Sequence, residues 1–321
     1  ACFEAIEWYR NYRNKFTTHA ACATEAPIDE EDAFRNSGRL VFNPYSIDDM
    51  QALYKQDPKF TADIVVNISV KDDNTIPNSK VKLRDDGEGD LKIWAVPNCL
   101  QVENRYLVSV DIGGKSTTSD YTVMTVIDRF GMIPTVKGKP KVVARYRGHV
   151  RHDKLAWMAA ALAHYYDDAL LVIESNTADR EKNNNTEGDH FLTILQEIAD
   201  YYDNLYQRTS SSENVEDNVL AKYGFQTNKL TKQQVIDNLE EFIDDNLYEE
   251  PDKEMYHELR IYERHDDGSL GNIVGNGNHD DVVMSTGIGL FVSLTDMEKP
   301  SWKKAERRSR GGDGVHTAAK I

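Results

Sequence analysis

The chain has 321 residues, 38 basic against 54 acidic for a formal net charge of −16, with 40% hydrophobic and 29% charged residues. The length allows one large domain or two ordinary ones, and the apolar share supports a core. No run reaches the roughly 18 apolar residues that a membrane helix needs, so no membrane span is expected. The acidic balance excludes a coat that tracks nucleic acid through general positive charge. Cys2, Cys22 and Cys99 are odd in number and lack metal spacing, which excludes a disulfide scaffold and makes a reducing compartment the default.

The chain begins at Ala1, not Met, without a secretory signal, so the numbering is expected to start inside a longer protein. Residues 1–18 predict a helix with Phe3, Ile6 and Tyr9 on one stripe. Asp29 to Phe34 predicts a short helix that stops near Gly38. Ser46 to Gln56 predicts another, capped by Ser46 and stopped by Asp57-Pro58. Residues 60–84 alternate weakly, as strands around a loop at Asp72 to Ser79. LKIWAV (91–96) is a strand running into Pro97. RYLVSVD (105–111), DYTVMTVIDRF (120–130) and KVVARYRGHV (141–150) are β-rich runs whose short connections favour an antiparallel meander. Asp153 to Asp168 is an amphipathic helix with Leu155, Met158, Leu162 and Tyr165 on one face. Ala169 to Ile173 is an apolar strand ending at Glu174. Helices follow at 189–206 and at Thr231 to Asn246, the latter with the capping pair Thr231 and Gln234. Asp266-Asp267-Gly268 is a turn. Asp280 to Leu294 opens with acids and continues apolar, as a buried helix does. From Glu298 the chain is basic and Gly-rich, a flexible tail. The order is that of a mixed α/β domain preceded by a smaller segment.

Two motifs bear on chemistry. Gly114-Lys115-Ser116 has the end of a phosphate loop, but Ser109 stands where the first glycine belongs and a strand follows. The helix N-terminus that holds the anion is missing, so nucleotide binding through Lys115 is not expected. The second is a set of acids at element ends. Asp111 closes one strand, Glu174 closes another, and Asp280 and Asp281 open the last helix. If the first two strands are neighbours, their acids leave the same sheet edge, where the helix can aim Asp281. Asp120, starting the return strand, lies nearly opposite Asp111. Converging carboxylates stay ionised only around cations, and oxygen-only donors suit Mg²⁺ or Mn²⁺. Taken singly, Asp280 or Asp281 reads as a helix cap and Asp111 as a strand terminus before Gly113. Glu174 is the less expected residue, since Glu is depleted in strands.

The pieces GDLKIWAVP, YLVSVDIGGKSTTSDYTVMTVID, LLVIESN, YGFQTNKLTKQQVIDNLEEFI and GNGNHDDVVMSTGIGL occur in that order from Gly89 to Leu290. They resemble the nuclease domain of the large terminase subunit of tailed bacteriophages, in the ribonuclease H-like superfamily. HDDVVM before a small-residue helix is the most specific piece. Ala26 to Phe42 also resembles the segment that joins the packaging ATPase domain to the nuclease. The resemblance implies an α/β fold, a ribonuclease H-like mixed sheet of antiparallel meander plus parallel strands flanked by helices. It divides the chain into 1–87 (the end of the ATPase-side segment, with short helices and strands), 88–298 (nuclease) and 299–321 (basic tail). It implies catalytic Asp111, Glu174 and Asp281. These bind Mg²⁺ or Mn²⁺, two ions with DNA present, with Asp280 and Asp120 as further ligands. Lys232, Asn176, His279 and Lys115 are implied at the substrate, with Lys229 a weaker case. A long polar insertion, Thr177 to Asn185, departs from relatives that have glycine soon after the Asn.

The implied activity is that of an endodeoxyribonuclease cutting concatemeric double-stranded DNA during phage or prophage genome packaging. The implied partners are DNA, the small terminase subunit, the portal protein and the ATPase domain of the same full-length protein, with no membrane, in the cytoplasm of the bacterial host. Two alternatives stay open: a junction-resolving nuclease of the same superfamily, and a catalytically silent docking module whose acids are caps and solubilising charge. His149 and His152, near Arg147 and Arg151, read as a surface turn or a small basic rim. Tyr201, Tyr202 and Tyr206 read as core.

Overall fold

The computed structural model describes residues 3–16, 22, 25–28, 39–66, 80–113, 120–176, 194–195, 197–199, 201–208, 223–273 and 277–303. In chain order the strands are β1 (Phe60–Val65), β2 (Lys80–Arg84), β3 (Leu91–Ile93), β4 (Val102–Glu103), β5 (Tyr106–Asp111), β6 (Thr122–Asp128), β7 (Lys141–Gly148), β8 (Leu170–Asn176), β9 (Phe225–Thr227), β10 (Tyr262–Arg264), β11 (Leu270–Asn272) and β12 (Ser301–Trp302). The helices are α1 (Phe3–Arg13), α2 (Pro44–Tyr54), α3 (His152–Tyr165), α4 (Lys229–Asp244), α5 (Lys253–Arg260) and α6 (Asp281–Thr295).

Eight strands form one sheet in the order β2-β1-β3-β7-β6-β5-β8-β9. β5, β6 and β7 are the expected antiparallel meander, and β5–β8 and β8–β9 are parallel pairs. Helices cover both faces. That is the ribonuclease H-like arrangement, extended at the β7 edge by β3, β1 and β2. β1 and β2, grouped by sequence with the first 87 residues, therefore join the same sheet, β1 pairing with β3 at Ala62 and Leu91. The meander strands are apolar on both sides because both sides are covered. Val108 and Val110 of β5 join a core with α3, whereas Leu107 joins a second core with α2, α4, α5 and α6.

α6 is apolar around its whole circumference, and the fold buries it accordingly. Its small residues allow close approach: a Cβ on Gly289 would lie 2.8 Å from Ile127 Cδ1 and 3.1 Å from Ser109 Cβ. Buried charges from elsewhere hold both ends. Glu258 of α5 accepts from the N–H groups of Val282 (2.9 Å) and Val283 (3.1 Å). Arg129 donates to the carbonyls of Ser293 (2.7 Å), Met297 (3.3 Å) and Glu298 (3.0 Å). A carboxyl acceptor at the N-terminus and a cation at the C-terminus both match the helix dipole, although burial pushes the Glu258 carboxyl well above its usual range.

Some local expectations are corrected. The cap of α2 is Asn43, with Pro44 opening the helix, not Ser46. The cap of α4 is Asn228 in a capping box with Thr231, three residues before the expected pair. The helix placed at 189–206 does not reach 206: Leu205 bridges to Leu171 and Gln207 to Tyr223, extending the sheet interactions. Tyr202 and Tyr206 are buried as expected, while Tyr201 is exposed. α5 and the β10–β11 hairpin around the Asp266-Asp267-Gly268 turn complete the α6 side. The helix near 29–34 and the loop at 72–79 lie outside the described residues. Among the described residues no helix is long and apolar enough to cross a membrane.

Candidate metal centre

Val110 of β5 sits opposite Ile173 of the parallel neighbour β8. The next residue on each strand is an acid, so Asp111, closing β5, lies beside Glu174; β8 does not stop there as expected but runs two residues further, pairing Glu174 to Asn176 with β9. Parallel strand ends are where α/β sheets bind ligands. The two carboxyl groups lie within hydrogen-bonding reach of one another, a contact that requires a proton on one of them. Burial pushes the Asp111 carboxyl well above the usual range, helped by the Glu174 charge and hydrogen bond and by Asp281 and Asp280.

Asp281 arrives from the other direction. α6 packs on β5 and β6 and sets its first residue over the same edge. Asp281 is buried, and its Oδ2 accepts the Tyr121 N–H at 2.8 Å. Burial raises it to about 7; the Tyr121 N–H and Arg147 oppose this, and the charges of Asp120 and Asp280 add to it. Tyr121 is in place because the chain between β5 and β6 comes back close to itself. A Cβ on Gly113 would lie 2.2 Å from the Tyr121 carbonyl carbon, so only glycine fits there.

The remaining acids surround this centre. Asp120, His279 and Asp281 each offer a ligand atom within 4.8 Å of the others. His279 Nδ1 is 3.3 Å from Asp120 Oδ1 and 3.8 Å from Asp281 Oδ2, and the Asn272 amide donates to the His279 carbonyl. Asp280 occupies the N-cap position of α6, yet its side chain makes no capping hydrogen bond. It faces Lys232, with Nζ 3.2 Å from Oδ2. Lys229 is exposed at the start of α4. Lys115 and the Asn176 side chain lie outside the described residues.

The histidines and arginines after β7 are more integrated than a surface turn. His152 is buried, with Nε2 3.4 Å from the Gly113 carbonyl. His149 stacks on Tyr121 at 4.3 Å, and the Arg147 guanidinium lies 3.7 Å from the centroid of the same ring. Arg151 turns away to Asp153 at 3.0 Å. Sequence reasoning missed Tyr121 and Glu258. Tyr121 acts through its main-chain N–H, which no side-chain pattern encodes. Glu258 left one faint signal: in KEMYHELR it shares the buried face with Met255 and Leu259.

Chemically, Asp111 and Glu174 stand beside each other on adjacent strands, the Asp281 charge acts on Asp111, and the ligand atoms within 4.8 Å of one another belong to Asp120, His279 and Asp281. Among the described residues neither Asp111 nor Glu174 is paired with a lysine, arginine or histidine. Carboxylate donors of this kind have the chemistry a hard divalent cation takes, and Asp120, His279 and Asp281 could share one.

In sequence comparisons no protein-family model and no curated protein matches the chain. Among solved structures it is similar to the large terminase nuclease of thermophilic phage G20c with bound magnesium, at 16% identity over 79% of this chain and 97% of that one, with a TM-score of 0.47. It is similar to the large terminase nuclease domain of Thermus phage P74-26, at 19% identity over 64% of this chain and 86% of that one, with a TM-score of 0.41. It is also similar to the human cytomegalovirus terminase nuclease domain, manganese-soaked and inhibitor-bound, at 8% identity over 60% of this chain and 84% of that one, with a TM-score of 0.35.

Proposed function

We propose that this chain is the nuclease part of a phage or prophage terminase large subunit, a metal-dependent endodeoxyribonuclease that cuts concatemeric double-stranded DNA during genome packaging. The observation that supports this best is the pairing of Asp111 with Glu174 on adjacent parallel strands, with the Asp281 charge acting on Asp111 and Asp281 grouped with Asp120 and His279. Mg²⁺ or Mn²⁺ held there, two ions with DNA present, would supply an activated water and charge stabilisation at the phosphorus and the departing 3′ oxygen. Asp111, beside Glu174 and acted on by the Asp281 charge, is the central ligand. Asp280 and Asp120 are supporting ligands at the rim. The Tyr121 N–H fixes the orientation of Asp281. His279, its side chain 18% exposed, is open to the cleft and can deliver a proton to the leaving oxygen. Lys232 brings a positive charge beside the acids, where a DNA phosphate needs one.

With a net charge of −16 the chain by itself binds DNA weakly, and more weakly as salt rises. Among the described residues no helix is laid out to read a groove; the ATPase domain of the same protein, the small subunit and the portal would fix where the cut falls, in the cytoplasm of the bacterial host. The test is nicking of supercoiled plasmid in Mn²⁺ or Mg²⁺, with a four-way junction offered alongside. Wild type is expected to nick the plasmid only with metal, and Glu174→Ala to fall to background. Preferential cutting of the junction would point instead to a resolving enzyme. No metal-stimulated cutting at all would leave the silent docking module.

The raised Asp281 carboxyl also sets a pH dependence. Without metal the native state keeps a proton there between about pH 4 and about pH 7, a window in which the unfolded chain has lost it. Native stability therefore falls as pH rises through that window. A cation must displace the proton, so its affinity rises with pH over the same range. In thermal melts with chelator, the loss of midpoint between about pH 5 and about pH 8 is expected to be larger in wild type than in Asp281→Asn. The rise caused by Mn²⁺ is expected to be larger at the higher pH.

A further inference from the structure

An α-helix begins with four N–H groups that need acceptors, and the residue before the helix is the usual source. At α6 that residue is Asp280, whose carboxylate faces Lys232 instead. The acceptor comes from another element. Glu258 of α5, its side chain 4% exposed, places Oε2 at 2.9 Å and 3.1 Å from the N–H groups of Val282 and Val283, directly after Asp281. Among the described residues its Oε1 has no hydrogen-bond partner, and it lies 4.0 Å from an Arg147 nitrogen. Arg147 packs on the face of Tyr121, whose N–H holds Asp281 Oδ2. One buried carboxylate thus meets both supports of Asp281, the first turn of α6 and the Arg147–Tyr121 stack. Its own place is fixed, since α5 is tied down by Tyr256 Oη to the Met50 carbonyl (3.2 Å) and by Arg260 to Asp48 (2.6 Å).

We propose that Glu258 is a positioning residue: by accepting the first free N–H groups of α6 it aims Asp281 into the cleft and leaves Asp280 free to face it. A carboxylate buried beside other acids is unfavourable for folding alone, and a cap from Asp280 would have served the helix without it. The inference rests on the cation-site reading above, and the experiment separates the two. Mn²⁺ is titrated calorimetrically into wild type, Glu258→Ala, Glu258→Asp and Glu258→Gln, each shown to be folded by circular dichroism at the working temperature. The Mn²⁺ dependence of plasmid nicking is measured on the same samples. Glu258→Ala is expected to weaken Mn²⁺ binding by about 10–100-fold, as loss of a ligand's support does, while Glu258→Gln, which keeps an oxygen acceptor, stays within about threefold of wild type. Glu258→Asp keeps the carboxyl acceptor but retracts it by one methylene. It is expected to weaken binding at least about tenfold, which decides the matter should Glu258→Ala not fold. A folded Glu258→Ala or Glu258→Asp that titrates like wild type overturns the proposal, as does Glu258→Gln failing as badly as Glu258→Ala. A wild type that takes up no Mn²⁺ overturns the cation site itself.

Discussion

Asp111→Asn is expected to lower metal-dependent nicking by about a thousandfold or more while raising the thermal midpoint of the metal-free protein. The first effect follows from the position of Asp111 at the end of β5, beside Glu174 and within the field of Asp281. A neutral amide there removes the charge that draws the cation in, and a thousandfold corresponds to about 4 kcal/mol of lost transition-state stabilisation. The second effect has the opposite sign because, without metal, the same charge is a burden. Asp111 is raised by burial first and then by Glu174 and the α6 acids, so in the neutral range the native state must keep a proton that the unfolded chain has lost, or carry a repelled buried charge, and either costs stability. An amide has no such repulsion and can donate to Glu174. Stability and activity moving in opposite directions is the signature of a site kept for function. Nicking rates and chelator melts on the same preparation check both halves. A variant that loses both would make Asp111 a structural residue.

Arg145→Met is expected to destabilise the fold by about 3–5 kcal/mol, the penalty for stranding buried charges. Arg145 on β7 is 1% exposed. It donates to Glu250 at 3.0 Å through both terminal nitrogens, to Asp252 at 3.1 Å and to Thr286 of α6 at 2.8 Å. Lys92 reaches Asp252 at 3.2 Å. Burial pushes Glu250 up and Arg145 opposes it. At Asp252 burial also raises, but Arg145 and Lys92 outweigh it and hold the carboxyl below its ordinary range. Without the guanidinium, both acids are buried beside each other with only Lys92 nearby. Urea unfolding measures the loss. Pairing Arg145→Met with Glu250→Gln is expected to cost clearly less than the two changes summed, because the second removes a charge that the first left unpaired. Strict additivity would mean that the network contributes little.

The parts of this design that are regular in the chain were legible in the sequence. The meander, α3 and α6 follow from apolar runs of the right period and length, and Asp111, Glu174 and Asp281 stand out because acids interrupt apolar elements at their ends. What escaped was short, shared or carried by the main chain. α5 spans eight residues and is mostly charged, so its buried Met255, Tyr256, Glu258 and Leu259 make too brief a stripe to recognise. Helix starts were misplaced where two cap-forming residues lie three apart, as Asn43 and Ser46 do; Pro44, favoured at the first helical position, marks the earlier one. The end of the 189–206 helix misled because Tyr202, Leu205 and Tyr206 suit a helical stripe as well as the bridge to β8 that they make. The hold of Tyr121 on Asp281 is a backbone contact, visible only once β5 and β6 lie side by side.

Anomalous diffraction from a crystal of the wild-type chain soaked in Mn²⁺ tests the convergence of the acids most directly. The expected result is a manganese peak bonded to oxygens of Asp111, Glu174 and Asp281 together. A peak bound elsewhere, or none in that cleft at saturating Mn²⁺, would contradict the proposed metal centre and the nuclease built on it.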